Sequence, residues 1–369
     1  MRDAVVIGGG LVGAAIAWGL ARQGLKPLVL DEDDLARRAS RANFALIWVQ
    51  GKGARAPHYA RWTLGSARSW PGFAEELTQL SGIDIKLRQP GGFTLCLSDA
   101  ELEDNAATLA GIRRDTGGEG ASFEILDHRR TAELLPGLGR AVVGSTYSSE
   151  DGDVNSLRLF RALHVAMARS GVSYRAHSRV ETIHYSGGLF RLEGPWGTVE
   201  AQKLILAGGI DNGRLASMVG LNVPLQHSKG QIVVTEKLAP FLAYPLGTLR
   251  QTDEGGVMIG DSEDTVDTSP RADPAINAVM VRRAIQMFPG LADVNMVRSW
   301  AGFRVKSRDG LPVYEQSAAC PGAFVAVAHS GVTLAAAHAL ALAPQIAAGP
   351  LSRELSPFST ARFHVQAAA

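Results

Sequence analysis

The sequence predicts an α/β protein in which a Rossmann-like domain is interleaved with an α+β domain of mixed or antiparallel sheet. Three observations point there. The chain opens on an apolar strand, a glycine-rich turn, a helix and a second strand, all within residues 4–31. Two more apolar strands run into glycine-bearing junctions far downstream, at Ala207-Gly208-Gly209 and at His329-Ser330-Gly331. The sequence between them alternates strand-like runs with helical stretches and shows no internal repeat.

Each element has a local cause. Residues 4–7 read as a fully buried strand, and residues 11–23 as a helix stopped by Gly24. Residues 28–30 form the next strand, ending at Asp31. Residues 38–57 are polar, glycine-spotted and without a clear period, which predicts an ordered loop or an irregular helix start. A helix over 59–80 follows, then strands over 84–87 and 92–97 turned by Pro90-Gly91, and a helix over 101–114. The helix over 155–170 takes Asn155 or Ser156 as its N-cap. Strands are expected over 179–184, 189–193, 198–201, 203–206, 231–236 and 256–259, a helix over 274–287, and a last strand over 323–328. The apolar run 332–348 contains His338, Pro344 and Gln345; it is too short and too polar to span a bilayer and reads as a buried helix. The expected nucleotide domain is discontinuous, comprising 1–80, 140–215 and 300–369, with 81–139 and 216–299 forming the substrate domain.

Composition narrows the function. The 369 residues carry 37 Lys+Arg against 36 Asp+Glu with no basic stripe, so a nucleic-acid partner is not expected. The two cysteines, Cys96 and Cys320, can neither build a disulfide framework nor ligate an iron–sulfur cluster alone. A reducing, cytoplasmic setting fits. No metal-ligand spacing is present. Arg2 is offset at once by Asp3 and the apolar run after it is glycine-broken, so a signal peptide is not expected.

The stretch IGGGLVG sets Gly8, Gly10 and Gly13 in G-x-G-x-x-G spacing between a strand and a helix. Gly8 allows the tight turn, Gly10 lets backbone approach a pyrophosphate, and Gly13 lets helix and strand pack closely. The helix start then offers free N–H groups and a positive dipole end to phosphate. Asp31 stands where an acid accepts hydrogen bonds from an adenosine ribose; its other reading is a solvated residue, since Glu32, Asp33 and Asp34 follow. The motif alone does not choose between NAD and FAD. The separated strand–glycine junctions favour a nucleotide site assembled from distant pieces.

The opening unit, the late LILAGG, and WAGFRVKSRDGLPVYE followed by FVAVAHSGVTLAAA together resemble the D-amino acid oxidase and glycine oxidase family of flavoproteins, over nearly the whole chain. With ASRANFALIWVQGKG after the first unit, the chain is most similar to the flavin subunit of heteromeric dehydrogenases of D-hydroxyproline, proline or opines. The resemblance implies a glutathione-reductase type FAD domain. Gly8, Gly10, Leu11, Val12 and Gly13 would cradle the pyrophosphate and Asp31 the ribose. Ser40 and Asn43 would lie along the pyrophosphate and ribityl chain, with Leu46 near the flavin ring. Val180 would meet the adenine through its backbone and Gly208 would close over the nucleotide. Gly310 would pass beside the flavin, and Gly331, Val332 and Thr333 would face its pyrimidine edge, where a helix start favours negative charge. No cysteine falls in WAGFR and no histidine follows SRANF until His58, which implies noncovalent FAD.

The same resemblance assigns the substrate carboxylate to an arginine in or after WAGFR. Arg304 is the expected anchor, because a guanidinium grips a carboxylate through two parallel hydrogen bonds. Arg250 is the second candidate, and Arg308 reads as a solvated charge or a partner of Asp309. Trp48, Gln50 and Lys52 are expected to face the substrate; His227 reads as structural, and His329 matters for its backbone. Ser330-Gly331 lacks the G-x-S-x-G context of a hydrolase. The implied reaction is oxidation of the C–N bond of a small amino acid or N-substituted amino acid by hydride transfer to flavin. Reoxidation would run through a second flavin subunit and an iron–sulfur subunit. The alternatives are a stand-alone oxidase using oxygen, an NAD(P)-linked dehydrogenase, and a flavin-fold assembly subunit without chemistry.

Overall fold

The computed structural model describes residues 1–33 and 39–363. Asp34 and Arg38, read above as part of an acidic run and the start of a loop, lie outside the described residues, as does the end of the last expected domain segment.

The organising element is an eight-stranded sheet. Its main path runs Val313–Gln316, Ala323–Val327, Gly197–Leu206, Arg2–Ile7, Leu28–Leu30, Ser173–Arg175, and the hairpin Thr182–Ser186 and Leu189–Gly194 is added to the long strand. Ile7 pairs in parallel with both Leu206 and Leu30, and Leu206 pairs in parallel with Val325. The carboxyl ends of strands from three distant parts of the chain therefore finish side by side. Parallel strands buried on both faces need continuous apolar sequence. Val5, Val6, Leu204 and Ile205 meet that need and are fully buried.

Helices cover one face. Leu11–Arg22 is apolar all round and crosses the C-terminal helical segment so closely that a Cβ at Gly19 would lie 2.4 Å from the Ala339 carbonyl. Pro57–Ser81 packs beside Ser156–Arg169 and ends on Gly82 in the left-handed conformation. The Asn155 side chain accepts the Arg158 N–H and caps Ser156–Arg169, as expected. Phe73, fully buried, packs its ring between Trp18 at 5.6 Å and Trp70 at 5.0 Å.

The second body holds a four-stranded antiparallel sheet ordered Leu249–Gln251, Gly256–Ile259, Lys229–Lys237, Met296–Phe303, and a three-stranded sheet ordered Gly92–Cys96, Gly144–Ser148, Glu124–Asp127. Phe93, Leu246, Val257 and Met287 tie both sheets and the helix Pro274–Met287 into one core. No helix among the described residues is long and apolar enough to cross a membrane.

Several expectations change. Residues 84–87 form no strand; a single bridge joins Arg88 to Asp153. Residues 198–201 and 203–206 are one strand, Gly197–Leu206, because Gln202 lies on the solvent side of an unbroken ladder. Gly144–Ser148, expected with the nucleotide domain, pairs on both sides within the second body. Met296–Phe303 crosses the expected boundary at 299. The helix expected from Val332 starts only at Ala335 and widens to a π turn over His338–Leu342. Pro344 lacks an N–H, so the regular ladder cannot continue through it.

Phe73→Ala opens a cavity between two tryptophans and should lower stability by about 3–5 kcal/mol. A urea or thermal unfolding midpoint indistinguishable from wild type would contradict that packing.

Candidate active site

A cavity of about 760 Å³ opens at the carboxyl edge of the parallel sheet, within the size range of cofactor sites. Its walls come from all three glycine junctions: Gly8 and Gly10, Ala207 and Gly208, and Ala328 to Thr333. Strands that end together at a sheet edge place such turns around one volume.

The first turn is built for close approach. Gly8 has φ +104°, and a Cβ there would lie 2.3 Å from the Ala207 carbonyl oxygen. A Cβ at Gly13 would lie 1.9 Å from the Gly8 carbonyl oxygen. Gly13 thus stands behind the cavity rather than in its wall, and holds helix against strand. Leu11 N–H, at the helix start, donates to Ser40 Oγ at 2.8 Å. Asp31, at the end of its strand, accepts from Gly9 N–H at 2.5 Å and Asp33 N–H at 3.1 Å. Asp31, Ser40, Asn43, Leu46, Val180 and Gly208 all line the cavity with Leu11 and Val12. Asn43 donates through Nδ2 to the Ser40 carbonyl at 2.6 Å, while its Oδ1 is buried with no partner. The Val180 carbonyl accepts from Arg214. Glycine contacts this tight, a helix start and an orphaned amide oxygen fit an FAD-sized dinucleotide with its phosphates at the turn.

The C-terminal junction is clasped to the loop that follows the first unit. Thr333 Oγ1 donates to the Leu46 carbonyl at 3.2 Å and accepts from Trp48 N–H at 3.1 Å. The Thr333 carbonyl accepts from Ser66 and Trp70. Gly331, Val332, Thr333, Leu46 and Trp48 are thereby held around the same volume. Gln50 also lines it, but its amide is committed to the Gly92 carbonyl, Asp151 and Thr146. Asp151 is fully buried. Burial pushes its carboxyl up to about 7, against hydrogen bonds from Val49 N–H and Gln50.

The three cations of the C-terminal motif separate. Arg304 lines the cavity; its Nη1 donates only weakly, at 3.3 Å, to the Lys229 carbonyl. Burial lowers its pKa, opposed by Glu263 and Asp261. Lys306 pairs with Glu263 at 2.6 Å, and Arg308 is exposed. Asp309 pairs with Arg362 rather than Arg308. Lys52 lines the cavity near Arg304. His329 also lines it and is pushed down to about 2, by burial first and then by Lys52, Arg304 and Lys306. It is neutral across the physiological range.

Besides Gly13, two expected site residues fall outside the cavity wall. Arg250 is only 4% exposed and does not line the cavity; its guanidinium donates to the Phe44 carbonyl at 2.6 Å and braces the loop from behind. Gly310 sits at φ +76° in a turn outside the cavity wall, where its N–H donates to the Ser307 carbonyl. His227 is structural, its ring against Phe303 and its Nε2 at the Asp267 carbonyl. Sequence reasoning missed Asp151 and Asp261. Neither belongs to a spaced motif; the one available signal was an acid after the buried strand Gly256–Ile259.

A glycine cradle at the edge of a parallel sheet, over one long cavity, defines a dinucleotide-binding oxidoreductase fold. The family model described as FAD dependent oxidoreductase (DAO) matches residues 3–345, and the chain belongs to that family. It is an enzyme of the oxidoreductase class, and its cofactor is FAD. It is 55% identical over 366 residues to the B subunit of opine oxidase from Agrobacterium tumefaciens (strain Ach5), with 99% of each chain covered. It is 52% identical to the B subunit of opine oxidase from Rhizobium meliloti, again with 99% of each covered. The crystal structure of glycine oxidase from Geobacillus kaustophilus superposes with a TM-score of 0.87 at 26% identity, covering 97% of this chain and 98% of that one. The D-amino acid oxidase resemblance read from the sequence holds at the level of family and fold.

Gly13→Ala forces backbone apart at the cradle and should leave the purified protein with little or no bound flavin, read as the ratio of visible to protein absorbance. Asp151 gives a pH test. Its folded-state pKa lies above the unfolded value, so between the two the unfolded chain is ionised while the folded chain holds the proton. Stability then falls as pH rises. From pH 5 to pH 7 the wild type should lose about 2 kcal/mol relative to Asp151→Asn. Parallel unfolding midpoints for the two proteins at both pH values would refute this.

Proposed function

We propose that the chain oxidises the C–N bond of an opine, an N-carboxyalkyl amino acid, as the flavin subunit of a heteromeric enzyme. Arg304 carries the reading. Its guanidinium faces the cavity, and the described residues give it one weak hydrogen bond and no ion pair. A cation left this poorly matched beside a cofactor cavity suits an anionic substrate group. High identity over full length to proteins named as B subunits of opine oxidase favours opines over D-hydroxyproline or proline.

Bound FAD supplies the two-electron acceptor. It would be held by Gly8, Gly10, Leu11, Val12, Ser40 and Asn43 along the phosphates, by Asp31 and Val180 at the nucleoside end, and by Leu46 and Gly331 to Thr333 at the ring end. WAGFR carries no cysteine and the stretch after SRANF no histidine before His58, so the cofactor is held noncovalently. Arg304 binds and orients the substrate carboxylate, and Trp48 walls the same end. Holding the reacting carbon in one attitude lowers the barrier without a strong side-chain nucleophile. The product imine is hydrolysed by water. Two cysteines in the whole chain cannot ligate a cluster, so the onward acceptor, a second flavin or an iron–sulfur centre, belongs to a separate polypeptide.

Arg304→Ala should lower kcat/KM for an opine by about a hundredfold or more, mainly through KM, because charge-assisted hydrogen bonds are each worth about 1.5–3 kcal/mol. Flavin content should not change. Anaerobic bleaching by the opine at wild-type KM would sink Arg304 as anchor. Rapid turnover of the isolated chain with oxygen would replace the heteromeric reading with a stand-alone oxidase.

A further inference from the structure

Asp261 is the one acid at the Arg304 end of the cavity whose carboxylate is uncommitted among the described residues. Burial and neighbouring charges act on it, but no hydrogen bond or ion pair does. It is exposed to the cavity wall and has φ +78°, a conformation rare outside glycine that Asp and Asn bear best. Strain of this kind at a cavity wall points to function. The next residue back, Gly260, is pressed against the Phe44 ring, and Ser262 Oγ accepts from Gln231 N–H at 2.8 Å. Asp261 is thus fixed on both sides.

Two further facts locate it. Asp261 lies between the pair Val233–Ile259 and the bridge Lys229–Asp264, where the register slips by one residue, so it sits in a bulge alongside Gly230 and Gln231. The Arg304 guanidinium lies on Gly230, where a Cβ would come within 2.6 Å of its Cζ. Asp261 and Arg304 line the same cavity and Arg304 is the leading charge acting on Asp261, so guanidinium and carboxylate are neighbours that do not pair. Asp261 and Thr248 also line a second cavity of about 430 Å³, walled by Leu249, Ile259, Ile276 and Met280. Asp261 therefore stands at the neck between two spaces.

We propose that Asp261 binds the secondary ammonium of the substrate and takes its proton, with the carboxylate of one arm reaching Arg304 and the apolar side chain of the other arm entering the second cavity. This rests on the amine-oxidising reading above. An unpaired cation and an unpaired anion in the same end of one cavity match the carboxylate and ammonium of one amino acid. A secondary amine has two carbon arms, and the neck offers a space for each.

The step balances without an oxidant. One N–H bond of the ammonium breaks, an O–H bond forms on Asp261, and the electron pair stays on nitrogen. The neutral amine is the form from which C–N oxidation proceeds, and the carboxyl, which lines the open cavity, returns the proton to water. The groups facing Asp261 are Arg304, Lys52, Glu263 and Arg283, with neutral His329 in the same cavity. Burial raises its proton affinity most, Glu263 adds to that, and Arg304, Lys52 and Arg283 oppose it.

The test compares FAD-loaded wild type, Asp261→Asn and Ala275→Trp, using N-(1-carboxyethyl)norleucine and N-methylalanine. Asn keeps the strained backbone and the volume but cannot act as base. Its kcat/KM at neutral pH should fall about a hundredfold, and the acid limb of the wild-type profile should vanish. Activity should climb back at alkaline pH, where the amine sheds its own proton. A structural role would give a uniform loss at every pH. Ala275 is an exposed residue at the second cavity, and Trp there should raise KM for the norleucine compound at least tenfold more than for N-methylalanine. Calorimetry supplies a readout without turnover: wild type should prefer the norleucine compound to its ether analogue, and Asp261→Asn should not. Unchanged pH dependence and retained amine preference in Asp261→Asn would overturn the proposal, and equal KM changes in Ala275→Trp would overturn the placement of the second arm. If wild type oxidises neither compound, the opine reading fails instead, and the amine-against-ether comparison still decides the binding role of Asp261.

Discussion

The backbone contact between the Gly8 turn and the Ala207 carbonyl is what the rest of the site depends on. It joins the first βαβ unit to a strand almost two hundred residues later, with no side chain between them. Only this approach lets the parallel ends of Ile7, Leu30, Leu206 and Val325 finish level. Once they do, the turns after them share one volume and the start of Leu11–Arg22 points its N–H groups into it. Gly13 and Gly19 extend the same logic outward, letting the helix lie close to its strand on one side and to the C-terminal helical segment on the other.

Charge divides the cavity. The glycine end offers backbone donors and a helix dipole, suited to phosphate. The far end gathers Arg304 and Lys52 with Asp261, while burial keeps His329 neutral so that it adds no further positive charge. Behind this end, Gln50, Asp151, Thr94 and Thr146 form a closed polar cluster that fixes the loop. Arg250 does the same from another side through the Phe44 carbonyl. The Arg304 end is shaped by polar groups whose hydrogen bonds go to backbone, leaving a few charged groups unmatched.

Much of this was legible in the amino-acid sequence. Residues 4–31 follow a motif whose spacing is dictated by local sterics, and the two later junctions show the same strand-to-glycine grammar. What escaped depends on pairing across long sequence distances. Glu124–Asp127 is largely exposed and carries a weak apolar pattern, so only its partner Gly144–Ser148 makes it a strand. Residues 84–87 have strand-like composition but no neighbour with which to exchange hydrogen bonds. Arg250 and Arg304 look alike in sequence. Which one faces the cavity is decided by the strand each occupies: Arg250 lies in Leu249–Gln251 behind the loop, while Arg304 follows Met296–Phe303 at the rim. Asp261 was hidden for the same reason, since its meaning comes from the two spaces it separates.

The Thr333 clasp joins residues near the beginning of the polypeptide to residues near its end. On a ribosome, the glycine turn therefore emerges long before the wall that completes it. Strand Arg2–Ile7 waits for Gly197–Leu206, and that strand waits for Ala323–Val327. The coenzyme cavity is complete only once Ala323–Val327 and the turn after it are in place, so its closure is coupled to closure of the whole molecule.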